Sequence, residues 1–285
     1  MADFAPAHAG TILERDFPSV SLGGNRRLRV YLPPGYSEGD RRFPVLYLHD
    51  GQNVFSTAGP YIAFGWGNWN LDKTADELID KKKTAPFIMV AIDCGKDRYT
   101  EYLGTSTNRN SRFDKYAKFL IEELKPVIDK EYRTLADPKN TKVMGSSMGG
   151  ISSLALAWEH RDIFGGAASL SGAYQVEKRY FLDMVLKPTD KPGITFPIYL
   201  DSGVMDYSGG DDGRTNTFAV YTKLKSLGWP EKQLSYYVDE KPATEEEMMA
   251  AGLPENKRKE ALTSQHNEFY WKLRSWRPLT FLFPP

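Results

Sequence analysis

The stretch Lys142 to Gly150 reads KVMGSSMGG and encloses Gly145-Ser146-Ser147-Met148-Gly149, a G-x-S-x-G pattern. A short apolar stretch, Val143-Met144, precedes it, and a helical pattern from Ile151 to Glu159 follows. A sharp strand-to-helix turn strains its central residue and crowds the positions two residues either side, so glycines belong there. Ser147 would stand exposed above a sheet as a nucleophile. The Met148 N–H, at the start of the helix, would face a developing oxyanion. Ser146 reads as a packed or solvated neighbour. The plain alternative is a helix entry in which Ser147 is only a cap.

A serine hydroxyl needs a base, usually histidine. The chain has four: His8, His49, His160 and His266. His8 lies in a tail. His160 ends the helix after the serine, where capping the last carbonyls is the ordinary role. His49 follows an apolar strand and reads as structural. His266 opens a helical pattern near the end, where the order serine, acid, histidine puts the base. The acid should follow a strand between them. FPIYLDSGVMD, from Phe196 to Asp206, offers Asp206, with Asp201 as second choice. Its role would be to fix the imidazole tautomer and stabilise the imidazolium. Asp211 and Asp212, in SGGDDG, read as turn residues; the regularly spaced oxygens of a calcium loop are missing there.

A second oxyanion donor is expected from the loop after the strand Phe43–Leu48. The Gln52 N–H is the expected donor, with Gly51 shaping the turn. The following loop, FSTAGPYIAFGWGNW, is rich in aromatics. Phe64, Trp66 and Trp69 are candidates to line a substrate pocket, joined by Tyr207; Trp69 and Tyr61 packing the loop on the sheet is the other reading. Arg98 and Tyr102 read as a salt bridge and ring packing at the mouth.

These residues need elements to hold them. Arg26–Leu32, Phe43–Leu48, Phe87–Ile92, Ile198–Leu200 and Leu234–Val238 read as strands. Leu71–Lys81, Phe113–Lys130, Thr217–Leu227 and Asn267–Trp276 carry apolar residues at helical spacing. Strands alternating with helices predict an α/β protein with a mainly parallel central sheet and helices on both faces. Chemistry in such sheets lies beyond the carboxyl ends of the strands. Asp239 to Ser264 breaks the rhythm. It carries the acidic run Glu245–Glu247 and the basic run Lys257–Lys259, and reads as a lid or a solvated excursion with one short helix.

The 285 residues show no repeat and no long linker, so residues 1–285 read as one domain. With 41% hydrophobic and 26% charged residues, disorder is excluded as the general state. Lys plus Arg equals Asp plus Glu at 37 each. This removes the electrostatic drive for nucleic-acid binding. No stretch approaches the roughly 18 apolar residues of a membrane helix, and no signal peptide is visible. The chain as given reads as cytoplasmic, or as periplasmic or secreted if a leader was removed. Cys94 is the only cysteine, which excludes an internal disulfide; it reads as a buried small hydrophobe.

The chain resembles α/β-hydrolase esterases of the esterase D and enterochelin-esterase type, a group that includes feruloyl and acetyl-xylan esterases. The resemblance rests on RLRVYLPPGY (Arg27–Tyr36), PVLYLHDGQNVF (Pro44–Phe55), RYTEY (Arg98–Tyr102), Tyr116 to Tyr132, GSSMGG (Gly145–Gly150), FGGAASLSG (Phe164–Gly172) and HNEFYW (His266–Trp271). It implies an α/β-hydrolase fold and a serine carboxylesterase. Ser147 would be nucleophile, His266 base and Asp206 acid; Met148 and the Asp50-Gly51-Gln52 turn would form the oxyanion hole. It implies no cofactor, no metal, a small-molecule or oligosaccharide ester as substrate, and a monomer or small homo-oligomer. The long Asp239–Ser264 insertion departs from the pattern. An acyltransferase with the same site, a siderophore-lactone esterase, a peptidase and an inactive hydrolase-like binding protein are the alternatives.

Overall fold

Continuous apolar runs form the middle of one eight-stranded sheet. β3 (Val45–Leu48) and β4 (Ile88–Ile92) are buried along their whole length, as strands with helices on both faces must be. The computed structural model describes residues 9–59, 62–105, 109–187 and 195–285; His8 and Tyr61 lie outside them. The other strands are β1 (Thr11–Ser19), β2 (Gly24–Leu32), β5 (Thr141–Ser146), β6 (Ala167–Leu170), β7 (Ile198–Gly203) and β8 (Leu234–Asp239). Their order is β1-β2-β4-β3-β5-β6-β7-β8. β2 pairs antiparallel with β1 and β4, and all pairs from β4 through β8 are parallel.

The pleat sends alternate side chains to opposite faces. Val45, Tyr47, Ile88 and Val90 enter one core cluster, while Leu46, Leu48, Met89 and Ala91 enter another. Helices α1 (Leu71–Asp80), α2 (residues 113–131), α3 (Met148–Glu159) and α4 (Arg214–Ser226) pack on these clusters, α5 (Glu245–Ala250) and α6 (Glu255–Ala261) lie outside them, and α7 (Glu268–Arg274) and α8 (Trp276–Leu282) return to the sheet. The helix expected over Asn267–Trp276 is therefore two, divided at Ser275. Residues 119–124 of α2 form a π-helical turn.

Two strands escape the apolar-run criterion. β1 carries Glu14, Arg15 and Asp16 at the sheet edge, where charges block further pairing. β6 is only Ala167-Ala168-Ser169-Leu170, whose small residues give a weak strand signal but let α3 pack close. The Asp239–Ser264 excursion holds two short helices rather than one. Thr244 and Glu247 form a reciprocal capping box that starts α5. Met248, Leu253 and Ala261 pack on Phe269 and Tyr270 of α7, giving the excursion a small core of its own.

Candidate active site

Ser147 has φ 54° and ψ −120° between β5 and α3. A non-glycine residue is rare there, and the surroundings enforce it. A Cβ on Gly145 would come within 2.8 Å of the Gly149 backbone, and one on Gly149 within 3.1 Å of His49 Cβ. The glycines of the motif thus let the elbow close against the β3 loop. The Ser147 N–H is fixed by the carbonyl of Leu170 at 2.9 Å. Met148 opens α3, so its N–H lies at a helix N-terminus.

His266 Nε2 lies 3.0 Å from Ser147 Oγ, and His266 Nδ1 lies 2.6 Å from Asp212 Oδ1. With its proton on Nδ1, the ring donates to Asp212 and accepts from the serine hydroxyl. The ring rests edge-on to Trp271 at 5.1 Å between centroids.

The carboxylate at His266 is Asp212, not Asp206 or Asp201. Asp206 closes its own turn: its Oδ1 accepts from Ser208 N and Oγ and from Gly210 N, at 2.9, 2.6 and 2.8 Å. Burial alone would raise its pKa, but these bonds outweigh it and hold the carboxyl below the ordinary range. The turn reverses the chain, which returns across Gly203. A Cβ there would meet Gln265 Cβ at 2.5 Å and Asp212 Oδ2 at 2.9 Å. The bare backbone of Gly203 therefore admits both the segment before His266 and the acid. Asp201 is fully buried and faces Arg274 Nε at 3.2 Å; burial raises its pKa. Asp211 is a turn residue, as its sequence suggests, accepting from Thr215 N at 3.0 Å.

Asp212 is itself fully buried, with its second oxygen satisfied. Ser171 Oγ donates to Oδ2 at 2.7 Å, the Gly203 N–H donates to it as well, and Arg274 Nη2 lies 3.8 Å away. Arg274, Trp271 and Glu268 recur every three residues and so share one face of α7. Arg274 reaches the acid, Trp271 the imidazole ring, and Glu268 Oε1 accepts from Asn53 Nδ2 at 3.1 Å in the β3 loop. One helix face thus ties together the loops bearing Asp212, His266 and Gln52. Burial pushes the Glu268 carboxyl up to about 7.

Gln52 lies in the helical turn Gly51–Asn53. Its side chain clamps the turn to the end of β4, accepting from Cys94 N at 3.1 Å and donating to Cys94 Sγ at 3.2 Å. Gly51 is a packing requirement, since a Cβ would strike the Ile92 N at 2.6 Å. Asp50, with φ 54°, takes both arms of Arg98 at 2.6 and 2.8 Å, and Arg98 lies over the Tyr102 ring at 5.3 Å. His49 is buried, within 2.7 Å of the Tyr116 hydroxyl, and burial holds it neutral with its value lowered to about 4.

Ser147 and His266 open into a cavity of about 850 Å³ whose walls include Gln52, Phe64, Trp66, Trp69 and Tyr207. The four aromatic candidates therefore share one space, in different states. Phe64 and Tyr207 are 95% and 80% exposed, while Trp69 is buried against Trp271. Cys94 also lines the cavity and is only partly buried, with its thiol pushed up to about 11 by burial. The sequence reading missed Asp212, Ser171, Arg274 and the Asn53–Glu268 pair. The pattern Asp206-x-Ser208-x-Gly210 was the available signal, because it marks a turn that occupies its own aspartate.

Among the described residues no helix is long and apolar enough to cross a membrane. The model of the family described as "Putative esterase" matches residues 19–277. An endo-1,4-beta-xylanase/feruloyl esterase from Xylanibacter ruminicola is 34% identical over 168 residues, which is 57% of this chain and 22% of that protein. A ferulic acid esterase structure superposes with a TM-score of 0.69 at 18% identity, covering 96% of this chain and 98% of that one. The enterobactin esterase FES from Shigella flexneri gives 0.65 at 17% identity, covering 98% of this chain and 60% of that one. The parallel sheet, the strand-elbow-helix and these likenesses agree: the chain belongs to this esterase family, has the α/β-hydrolase fold and is a carboxylic ester hydrolase.

Proposed function

We propose that the protein is a serine esterase working through an acyl-enzyme on Ser147. The reading rests on one observation: a serine, an imidazole and a buried carboxylate in series, at 3.0 and 2.6 Å, with the serine and the imidazole lining one cavity. His266 Nε2 takes the Ser147 proton as Oγ attacks the ester carbonyl carbon. Asp212 stabilises the imidazolium. The N–H groups of Met148 and Gln52, with Gly51 fitting the turn against β4, receive the oxyanion. Collapse breaks the ester C–O bond, and His266 returns the proton to the departing alcohol. Water then repeats the cycle, releases the acid and restores Ser147.

The aromatic lining supports an ester carrying a flat ring or a sugar, such as a carbohydrate-linked feruloyl or acetyl group. The similarity to a protein named as a feruloyl esterase supports the same class. Residues 1–285 are read as one catalytic domain. Glu260, Thr263 and Ser264 bring the end of the 239–264 excursion to the cavity wall, which supports its reading as a lid.

The test is Ser147→Ala on p-nitrophenyl acetate. Turnover should fall on the order of 10⁴-fold or more; an unchanged rate refutes the assignment. A panel of feruloyl, acetyl-sugar and siderophore-lactone esters then ranks the substrates.

A further inference from the structure

A second cavity, of about 230 Å³, lies beside the catalytic one. One wall comes from the loop after β3, and the other from residues 251–254, which join α5 to α6. Trp66 lines both cavities. Helix α7 borders both as well, by different faces. Glu268 and Trp271 line the catalytic cavity, whereas Phe269 and Lys272 line the second. Each pair is spaced by three residues, which puts its members on one side of a helix. The two cavities are thus neighbours across Trp66 and α7.

Lys272 is the one charged residue among the described lining residues. It is partly buried, and its ammonium has no ion-pair or hydrogen-bond partner among the described residues. Burial is the sole influence on its pKa, which it lowers; a neighbouring carboxylate would have raised it. Lys257 is different. Its Nζ lies 2.8 Å from Glu260 Oε2 and 4.7 Å from the centroid of the Trp66 ring, so it is neutralised and steadies that ring. A cation withdrawn from water without a counter-charge favours a ligand anion that supplies one.

The rest of the wall is mixed. Trp66, Leu253 and Phe269 are apolar, and Asn68 and Asn70 bring amides. Asn68 is spent within its own loop: Nδ2 donates to the Gly59 carbonyl at 2.9 Å, and Oδ1 accepts from the Asn70 N–H at 2.8 Å. This fixes Asn70 at φ 48°, and its side chain makes no capping bond to the helix it precedes. An aromatic ring, an uncommitted amide and an unpaired ammonium together suit a ligand with an apolar face, hydroxyls at its edge and a carboxylate. A uronic acid has these three features. The cavity is below the roughly 300 Å³ of an ordinary ligand pocket, which is room for one ring rather than a chain.

We propose that this cleft is a subsite for a uronate sugar of the substrate, with the carboxylate on Lys272 and the ring against Trp66. The proposal rests on the esterase reading of Ser147, which would cleave an ester borne near that sugar.

Calorimetric titration of the full chain with methyl glucuronoside and methyl galacturonoside tests it. Methyl glucoside and methyl galactoside are the matched neutral controls. At least one uronoside should bind saturably below about 20 mM, and about tenfold or more tighter than its neutral counterpart. Lys272→Met should weaken that binding about tenfold. Trp66→Leu keeps the lysine and should weaken it about threefold or more. The proposal is overturned if neither uronoside binds by about 20 mM, or if the neutral sugars bind equally well. It is overturned too if a folded Lys272→Met protein keeps the full affinity or, where that variant does not fold, if Trp66→Leu does. Turnover gives the second readout. An acetylated oligosaccharide carrying the bound uronate should exceed its carboxyl-reduced form about tenfold in kcat/KM, and equal values overturn the subsite. Uronoside binding is read without turnover, so failure of the Ser147 assignment and failure of this subsite are distinct results.

Discussion

The hydroxyl of Ser171 donates to Oδ2 of Asp212 at 2.7 Å, with both residues withdrawn from solvent. Ser171 Oγ in turn accepts from Arg274 Nη2 at 2.6 Å and from Trp271 Nε1 at 3.0 Å. Asp212 is thereby oriented from behind, and its free oxygen is left to His266. Ser171 itself has φ 44°, a strained value at the end of β6 that aims its side chain along this path.

Asp212→Asn keeps the size of the side chain and removes the acceptor charge. We expect kcat/KM on a p-nitrophenyl ester to fall by about 10⁴-fold. Asp206→Asn should leave the rate within a small factor, because Asp206 serves its own turn. The reverse ranking would return the acid role to Asp206.

Ser171→Ala strips a partner from three buried groups at once. A loss of about 1–3 kcal/mol in denaturant unfolding is expected. Arg274→Met should cost more, about 3–5 kcal/mol, since Asp201, Asp212 and Asp239 all face that guanidinium. An Arg274→Met protein as stable as the parent would show that the three carboxylates do not need it.

Glu268 gives a pH dependence with a definite sign. Its value is raised from 4.5 to about 7 in the fold by burial. A raised value means that the folded state binds the proton more tightly. The stabilisation is complete below about pH 4.5 and is lost as pH rises through about 7, with an upper limit of about 3 kcal/mol. Glu268→Gln keeps an acceptor for Asn53 and cannot ionise. Its stability should fall less steeply across that window, as measured by urea midpoints from pH 4 to 8.

His49 stands beside the elbow but is a packed residue, neutral and bonded to Tyr116. His49→Gln should lower the melting temperature and leave the acid limb of the pH–rate profile where it is. A displaced limb would bring His49 into the proton transfer.

The elbow was legible because it is local. Gly145 is constrained by the Gly149 backbone four residues on, and the three types together sit at the spacing that reveals the bend, although Gly149 also packs on the remote His49. His266 was legible by elimination among four histidines and by chain order. The central strands announced themselves as unbroken apolar runs, whereas β1 and β6 did not, because pairing and close packing rather than hydrophobicity hold them. The carboxylate that meets His266 was not legible in this way. Asp201 lies in β7 and Asp206, Asp211 and Asp212 follow it, and spacing alone cannot rank them. The choice was made by tertiary contacts: a turn that consumes Asp206, an arginine that holds Asp201, and a side-chain-free Gly203 over which the loop folds back to set Asp212 against the ring. Local strain is written in neighbouring residues; the path of a loop is set by the remote groups it lands on.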